Sequence, residues 1–190
     1  MRKVTVRKIS EYSPLIPKMT KYDSYNLIVK QEYSPGILKR ASVINPVYDG
    51  IFSSDLRRGV ESSNLYLSKK PTILLSDLRE IKFSLKSLLS ENEYSKFGSN
   101  LVRERFVLGF ERNRLLESRK VIKGRLLAVI KKLNDLPSGK YLVISHSFFM
   151  KIMDIYIHMG DLFADPSILR DYFNPTKKTY NFNEGFTFEL

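Results

Sequence analysis

The chain has 190 residues, 43% of them hydrophobic and 27% charged, with no cysteine, two histidines and a formal net charge of +12. That length buries a sizeable core in one piece, and the composition excludes both a disulfide framework and a thiolate metal site. His146 and His158 are the sole imidazoles, so no metal centre is expected. No apolar run approaches the roughly 20 residues of a membrane span, and no secretory leader follows Met1. The expectation is a single cytoplasmic domain over residues 1–190 with no membrane partner.

Taken in chain order, Val4-Thr5-Val6 is predicted as the first strand, with Arg7 and Lys8 at its carboxyl end. Residues 9–47 contain Pro14, Pro17, Pro35, Gly36 and Pro46 and are read as loop around one helix over residues 36–44. A loop of that length in a compact domain tends to be functional. Residues 48–53 are the second strand candidate, and Ser54-Asp55 is predicted to cap a helix over residues 56–67. Residues 72–75 form the third strand, leaving through Ser76-Asp77-Leu78-Arg79-Glu80, and the polar residues 84–96 read as a helix or lid.

The densest charge lies in residues 103–132, where Phe106, Phe110, Ile122, Leu126 and Val129 recur near the helical period and Leu133 continues the series. That pattern predicts two amphipathic helices with solvated basic faces. Pro137-Ser138-Gly139 opens an apolar run over residues 141–144, the signature of a buried parallel strand. Ser145-His146-Ser147 follows, then a helix over residues 148–159. Past Gly160 the chain is irregular, and the alternation of Phe186 and Phe188 predicts an edge strand at residues 185–190.

Strands alternating with helices argue for a three-layer α/β/α sandwich around a mostly parallel central sheet. Ligands of such sheets bind outside the carboxyl ends of the strands, beside free N–H groups at helix starts. Arg7, Lys8, Arg57, Arg58, Glu80 and His146 all belong to that edge in the predicted arrangement. Converging cationic donors make a site for a dianion, and a phosphoryl group is the obvious one. Each residue alone has a plainer role: Arg58 as a surface charge, Glu80 as a solvated turn, Ser145-His146-Ser147 as a helix-capping turn. The positive charge by itself also admits nucleic acid as a partner, without a recognised motif for it.

Three segments in order resemble the histidine phosphatase superfamily, which includes the phosphoglycerate mutases. Ser53-Ser54-Asp55-Leu56-Arg57-Arg58 is similar to its Ser-Asp-Leu-x-Arg segment, Leu78-Arg79-Glu80 to its Leu-x-Glu motif, and Val143-Ile144-Ser145-His146 to its Val-Ser-His strand end. Ser34-Pro35-Gly36 is similar to the turn before the family's first long helix. The resemblance implies a phosphoglycerate mutase-like fold and a histidine nucleophile, next to an arginine after the first strand, that is transiently phosphorylated. By position it implies Arg7 and Arg58 as phosphate-binding arginines, His146 as the second histidine, Glu80 as the acid and no cofactor.

Where the family has Arg-His, this chain has Arg7-Lys8, followed by Ile9 in place of a small residue. Imidazole, with an ordinary pKa of about 6.5, offers a lone pair at neutral pH, whereas a lysine ammonium near 10.4 does not. Arg7 and Arg58 would lower that value and a bound dianion would raise it again, so Lys8 is expected to act as a phosphate clamp. The favoured expectation is a superfamily member that retains a phosphate pocket of Arg7, Lys8, Arg58 and His146 and has lost phosphohistidine catalysis. It would bind a phosphorylated small molecule, a phosphate or sulfate anion, or a phosphorylated partner. A phosphatase or mutase with another nucleophile and a basic nucleic-acid-binding module are the alternatives.

Overall fold

The computed structural model describes residues 1–38, 44–173, 180–182 and 184–190. In chain order its elements are β1 (Arg2–Lys8), α1 (Lys21–Val29), β2 (Ile44–Tyr48), β3 (Gly50–Ser54), α2 (Arg57–Ser63), β4 (Tyr66–Ser68) and β5 (Ile73–Leu75). A 3-10 turn (Ser76–Leu78) leads to α3 (Leu85–Leu88), α4 (Glu91–Glu111), α5 (Arg119–Asn134), β6 (Gly139–Ser145), α6 (Ser147–His158), α7 (Ile168–Tyr172) and β7 (Gly185–Glu189). The main sheet has the order β5-β3-β6-β1-β7, parallel throughout except for β7, which runs antiparallel to β1 at the edge. This is a mixed α/β fold with a mostly parallel central sheet flanked by helices.

Strand alternation divides the core into two. Val4, Val6, Phe52, Tyr141 and Val143 face the large cluster, completed by Phe106, Phe110, Ile122, Leu126, Phe149 and Met153 from α4, α5 and α6. Ile51, Leu142 and Ile144 face the smaller cluster with Ile9, Tyr48, Leu65 and Tyr66. The last two strand-borne rings belong to a separate two-stranded parallel sheet, β2 with β4, and meet edge-on. Helix α6 is buried from Phe148 to Ile155, as expected of a helix packed between sheet and neighbouring helices.

Several boundaries differ from the sequence expectation. Of the helix expected over 36–44, residues 39–43 lie outside the described residues, Ile37 makes an isolated bridge to Tyr12, and Ile44 opens β2. The helix in that part of the chain is α1 instead, started by Thr20, whose hydroxyl accepts from Asp23 N. Its buried side includes Ser24 and Asn26, so an apolar count passes over it. The helix expected over 56–67 stops at Ser63. Ser62 and Ser63 bond back to the carbonyls of Arg58 and Val60, and the chain then leaves to pair as β4.

Residues 84–96 hold α3 and the start of α4, the latter fixed by a Ser90–Glu93 capping box. Helix α4 is kinked at Gly98, whose φ of 61° favours glycine.

Candidate active site at the carboxyl edge of the sheet

Strand β3 runs into α2 through Ser54, Asp55 and Leu56, and the close approach of α2 to that turn requires Gly59. A Cβ at this position would lie 2.6 Å from the Ser54 carbonyl oxygen. The turn thereby sets Arg58 inward and Arg57 outward. Arg58 is 1% exposed, whereas Arg57 is solvated and pairs with Glu61 one turn on. About 100° of helix separates adjacent residues, so one of the two had to leave the site.

Strand β6 delivers His146 to the same place. Arg58 Nε donates to His146 Nδ1 at 3.2 Å, and Nε2 of the ring meets Ser54 Oγ at 2.8 Å. Because Nδ1 is the acceptor, a neutral ring carries its proton on Nε2 and donates it to Ser54. Burial, then the Arg58 and Arg125 charges, hold the ring's pKa well below its usual 6.5, so the imidazole is neutral. Arg58 Nη1 also donates to Ser34 Oγ at 3.4 Å, and the Tyr12 ring lies 5.3 Å from the guanidinium carbon.

Glu80 follows β5 and the 3-10 turn, and it is buried. Its carboxylate accepts the backbone N–H groups of Phe148 and Phe149 at the start of α6, and that of Ile81. A carboxylate suits a helix N-terminus. Burial nonetheless raises its pKa above the usual value, outweighing those three donors and Arg58. The preceding loop is clamped from two sides. Arg79 forms a two-pronged pair with Asp55 at 2.5 and 2.6 Å. Arg125 of α5 donates to the carbonyls of Asp77 and Arg79 and to Glu117, with its guanidinium over Phe149.

A cavity of about 280 Å³ opens at this edge, and Lys8, Ile9, Glu80 and His146 are on its wall. Lys8 Nζ donates to the Tyr180 carbonyl at 3.1 Å and stands 4.5 Å from the centre of the Phe182 ring. Burial lowers its pKa, with Glu80 acting against that and Arg103 adding to it. Of the residues expected at one phosphate site, the structure therefore brings Lys8, Glu80 and His146 to one cavity, with Arg58 bonded to His146 behind the wall. Arg7 is not on that wall. It points to the opposite face of β1 from Lys8, within electrostatic reach of Tyr66.

Sequence reasoning passed over several cavity residues. Arg103, read as part of a solvated basic face, is on the wall, as are Lys151 of α6 and Tyr12, Tyr25 and Tyr94. Arg125 is likewise drawn inward. The signal for Ser54 was present in Ser53-Ser54-Asp55; for the tyrosines there was only their abundance near the amino end.

A profile of the histidine phosphatase superfamily (branch 1) matches residues 41–164, a span that begins after β1 and so leaves out Arg7 and Lys8. Among solved structures the chain is similar to a putative alpha-ribazole-5'-P phosphatase from Escherichia coli K-12. The TM-score is 0.59 at 13% identity, over 86% of this chain and 83% of that one. A phosphoglycerate mutase from Bacillus anthracis aligns with a TM-score of 0.45 and 19% identity, over 82% and 79% of the two chains. A phosphoserine phosphatase from Entamoeba histolytica aligns with 0.48 and 16%, over 90% and 85%. No curated protein sequence matches the chain. With the profile spanning more than half its length over the segments that carry Arg58, Glu80 and His146, the chain belongs to the histidine phosphatase superfamily.

Proposed function

We propose that the chain binds a phosphomonoester or a related oxyanion in this cavity and does not carry out phosphohistidine transfer. The observation that carries this reading is the make-up of the wall. Among the described residues Lys8, Arg103 and Lys151 face one cavity whose carboxylate is Glu80, and His146 is its imidazole. A low-dielectric pocket with that excess of positive charge favours a dianion.

The second imidazole that the family chemistry needs has no counterpart. The other histidine of the chain, His158, ends α6 and pairs with Asp154. In the β1–β6 register Lys8 stands beside Ser145, and Ile9 N then donates to the Ser145 carbonyl at 3.0 Å. This continues the pairing to Ile9 beside His146, so the position next to His146 offers a hydrocarbon side chain. His146 is a poor substitute nucleophile, because both of its ring nitrogens are engaged. The Lys8 ammonium has its pKa lowered by burial, but a bound dianion restores the charge and withholds the lone pair.

Calorimetric titration with orthophosphate, alongside hydrolysis of p-nitrophenyl phosphate, tests the reading. Orthophosphate should bind the native protein and lose most of its affinity in a Lys8→Met, Arg103→Met double variant, with turnover at the buffer background. Robust turnover with a trapped phospho-enzyme would sink it.

A further inference from the structure

Aromatic rings from four separate parts of the chain converge on this cavity: Tyr12, Tyr25 of α1, Tyr94 of α4 and Phe182 near the carboxyl end are on its wall. They are ordered against one another. Tyr25 and Tyr94 stack at 6.1 Å between centroids and 24° between planes, while Tyr12 and Phe182 meet edge-on at 6.1 Å and 79°. Phe148 and Phe173, also on the wall, stack at 5.6 Å and 10°. The charged wall groups are Lys8, Glu80, Arg103 and Lys151.

The wall also carries hydroxyls on these tyrosines and on Ser99 and Ser147, but ring faces make up much of it. Ring faces reward a flat π-system, through offset or edge-to-face contact. Burial also raises the pKa of Tyr12 and of Tyr25, so both remain neutral phenols and neither sets a negative charge against an anionic ligand.

We infer that the organic part of the ligand is a planar aromatic ring, so that this cavity selects aryl or heteroaryl phosphomonoesters over aliphatic ones. This rests on the anion-binding reading above. The cations take the phosphate, and Tyr94 and Phe182 act as specificity residues toward the ring.

The test compares phenyl phosphate, cyclohexyl phosphate, glycerol 3-phosphate and orthophosphate on the native protein by calorimetry. Phenyl phosphate should bind roughly five- to tenfold more tightly than cyclohexyl phosphate, the affinity equivalent of one aromatic contact. Its margin over glycerol 3-phosphate should be larger. In a Tyr94→Leu variant, apolar bulk is kept and a ring is lost; the phenyl preference should fall while orthophosphate affinity stays the same. Equal affinities for phenyl, cyclohexyl and glycerol phosphates on the native protein would overturn the inference whether or not the variant folds. Absence of orthophosphate binding would instead overturn the anion-binding reading beneath it.

Discussion

Arg58 donates its Nε hydrogen to Nδ1 of His146 at 3.2 Å, and this contact fixes the tautomer of the one imidazole in the site. It also sets a pH dependence. His146 is held well below 6.5 by burial, Arg58 and Arg125, and in the unfolded chain it returns to about 6.5. Between those values the unfolded chain binds a proton that the folded chain refuses. The stability tied to neutral His146 is therefore full above about pH 6.5 and is lost as pH falls toward the folded pKa.

Glu80 acts in the opposite sense. Its pKa is raised from 4.5, by burial foremost, so its contribution is present below that value and lost as pH rises through the folded pKa. Glu80→Gln removes this opposing slope. Melting curves taken between about pH 7.5 and about pH 5 should fall more steeply on acidification in the variant than in the native protein. Parallel curves would show that the two groups are not linked to folding as described.

The clamps on the Glu80 loop should differ in strength. Arg79 and Asp55 are partly solvated, with side chains 37% and 26% exposed, and Asp55→Ala should cost about 1 kcal/mol. Arg125→Met strands Glu117 and two backbone carbonyls at a site where the paired side chains are 14% and 9% exposed, and should cost about 3 kcal/mol. Urea denaturation of both variants checks the order, and a larger loss from Asp55→Ala would reverse the assignment.

Glu80→Ala leaves the N–H groups of Phe148 and Phe149 without their carboxylate at the start of α6. A loss of about 1–2 kcal/mol is expected by analogy with a deleted N-cap, and Glu80→Gln should lose less because it keeps one acceptor oxygen. Hydrogen exchange at the first turn of α6 should accelerate in Glu80→Ala. Unchanged protection there would mean that the cap carries no weight.

The strand register separates two rescue designs. Lys8→His sets an imidazole beside Ser145, whereas Ile9→His sets one beside His146, at the expense of burying a polar ring at a site 2% exposed. Any gain in p-nitrophenyl phosphate hydrolysis should appear in Ile9→His and vanish in Ile9→His, His146→Ala. A gain confined to Lys8→His would show that Lys8 occupies the nucleophile position after all.

What the sequence alone determined is local in origin. The run at residues 141–144 and the polar tripeptide after it read as a buried strand feeding a helix, and β6, His146 and α6 take those places. That Arg57 and Arg58 point apart follows from helical geometry within one turn, whereas the choice of Arg58 as the inward one came from the family resemblance; both β7 and the two basic helices come from short-range periodicity. Tertiary structure alone decided which strand exits share a cavity. Arg7 and Lys8 are adjacent, yet strand alternation sends them to opposite faces, and only the folded chain shows that Lys8 shares a cavity wall with His146. The end of α2 depended on a pairing between β2 and β4, Arg125 was drawn inward by the carbonyls of the Glu80 loop, and Arg103 came to share a cavity with Lys8 and Lys151 despite their like charge. Those partners lie tens of residues away along the chain, where periodicity and local propensity carry no information about contact.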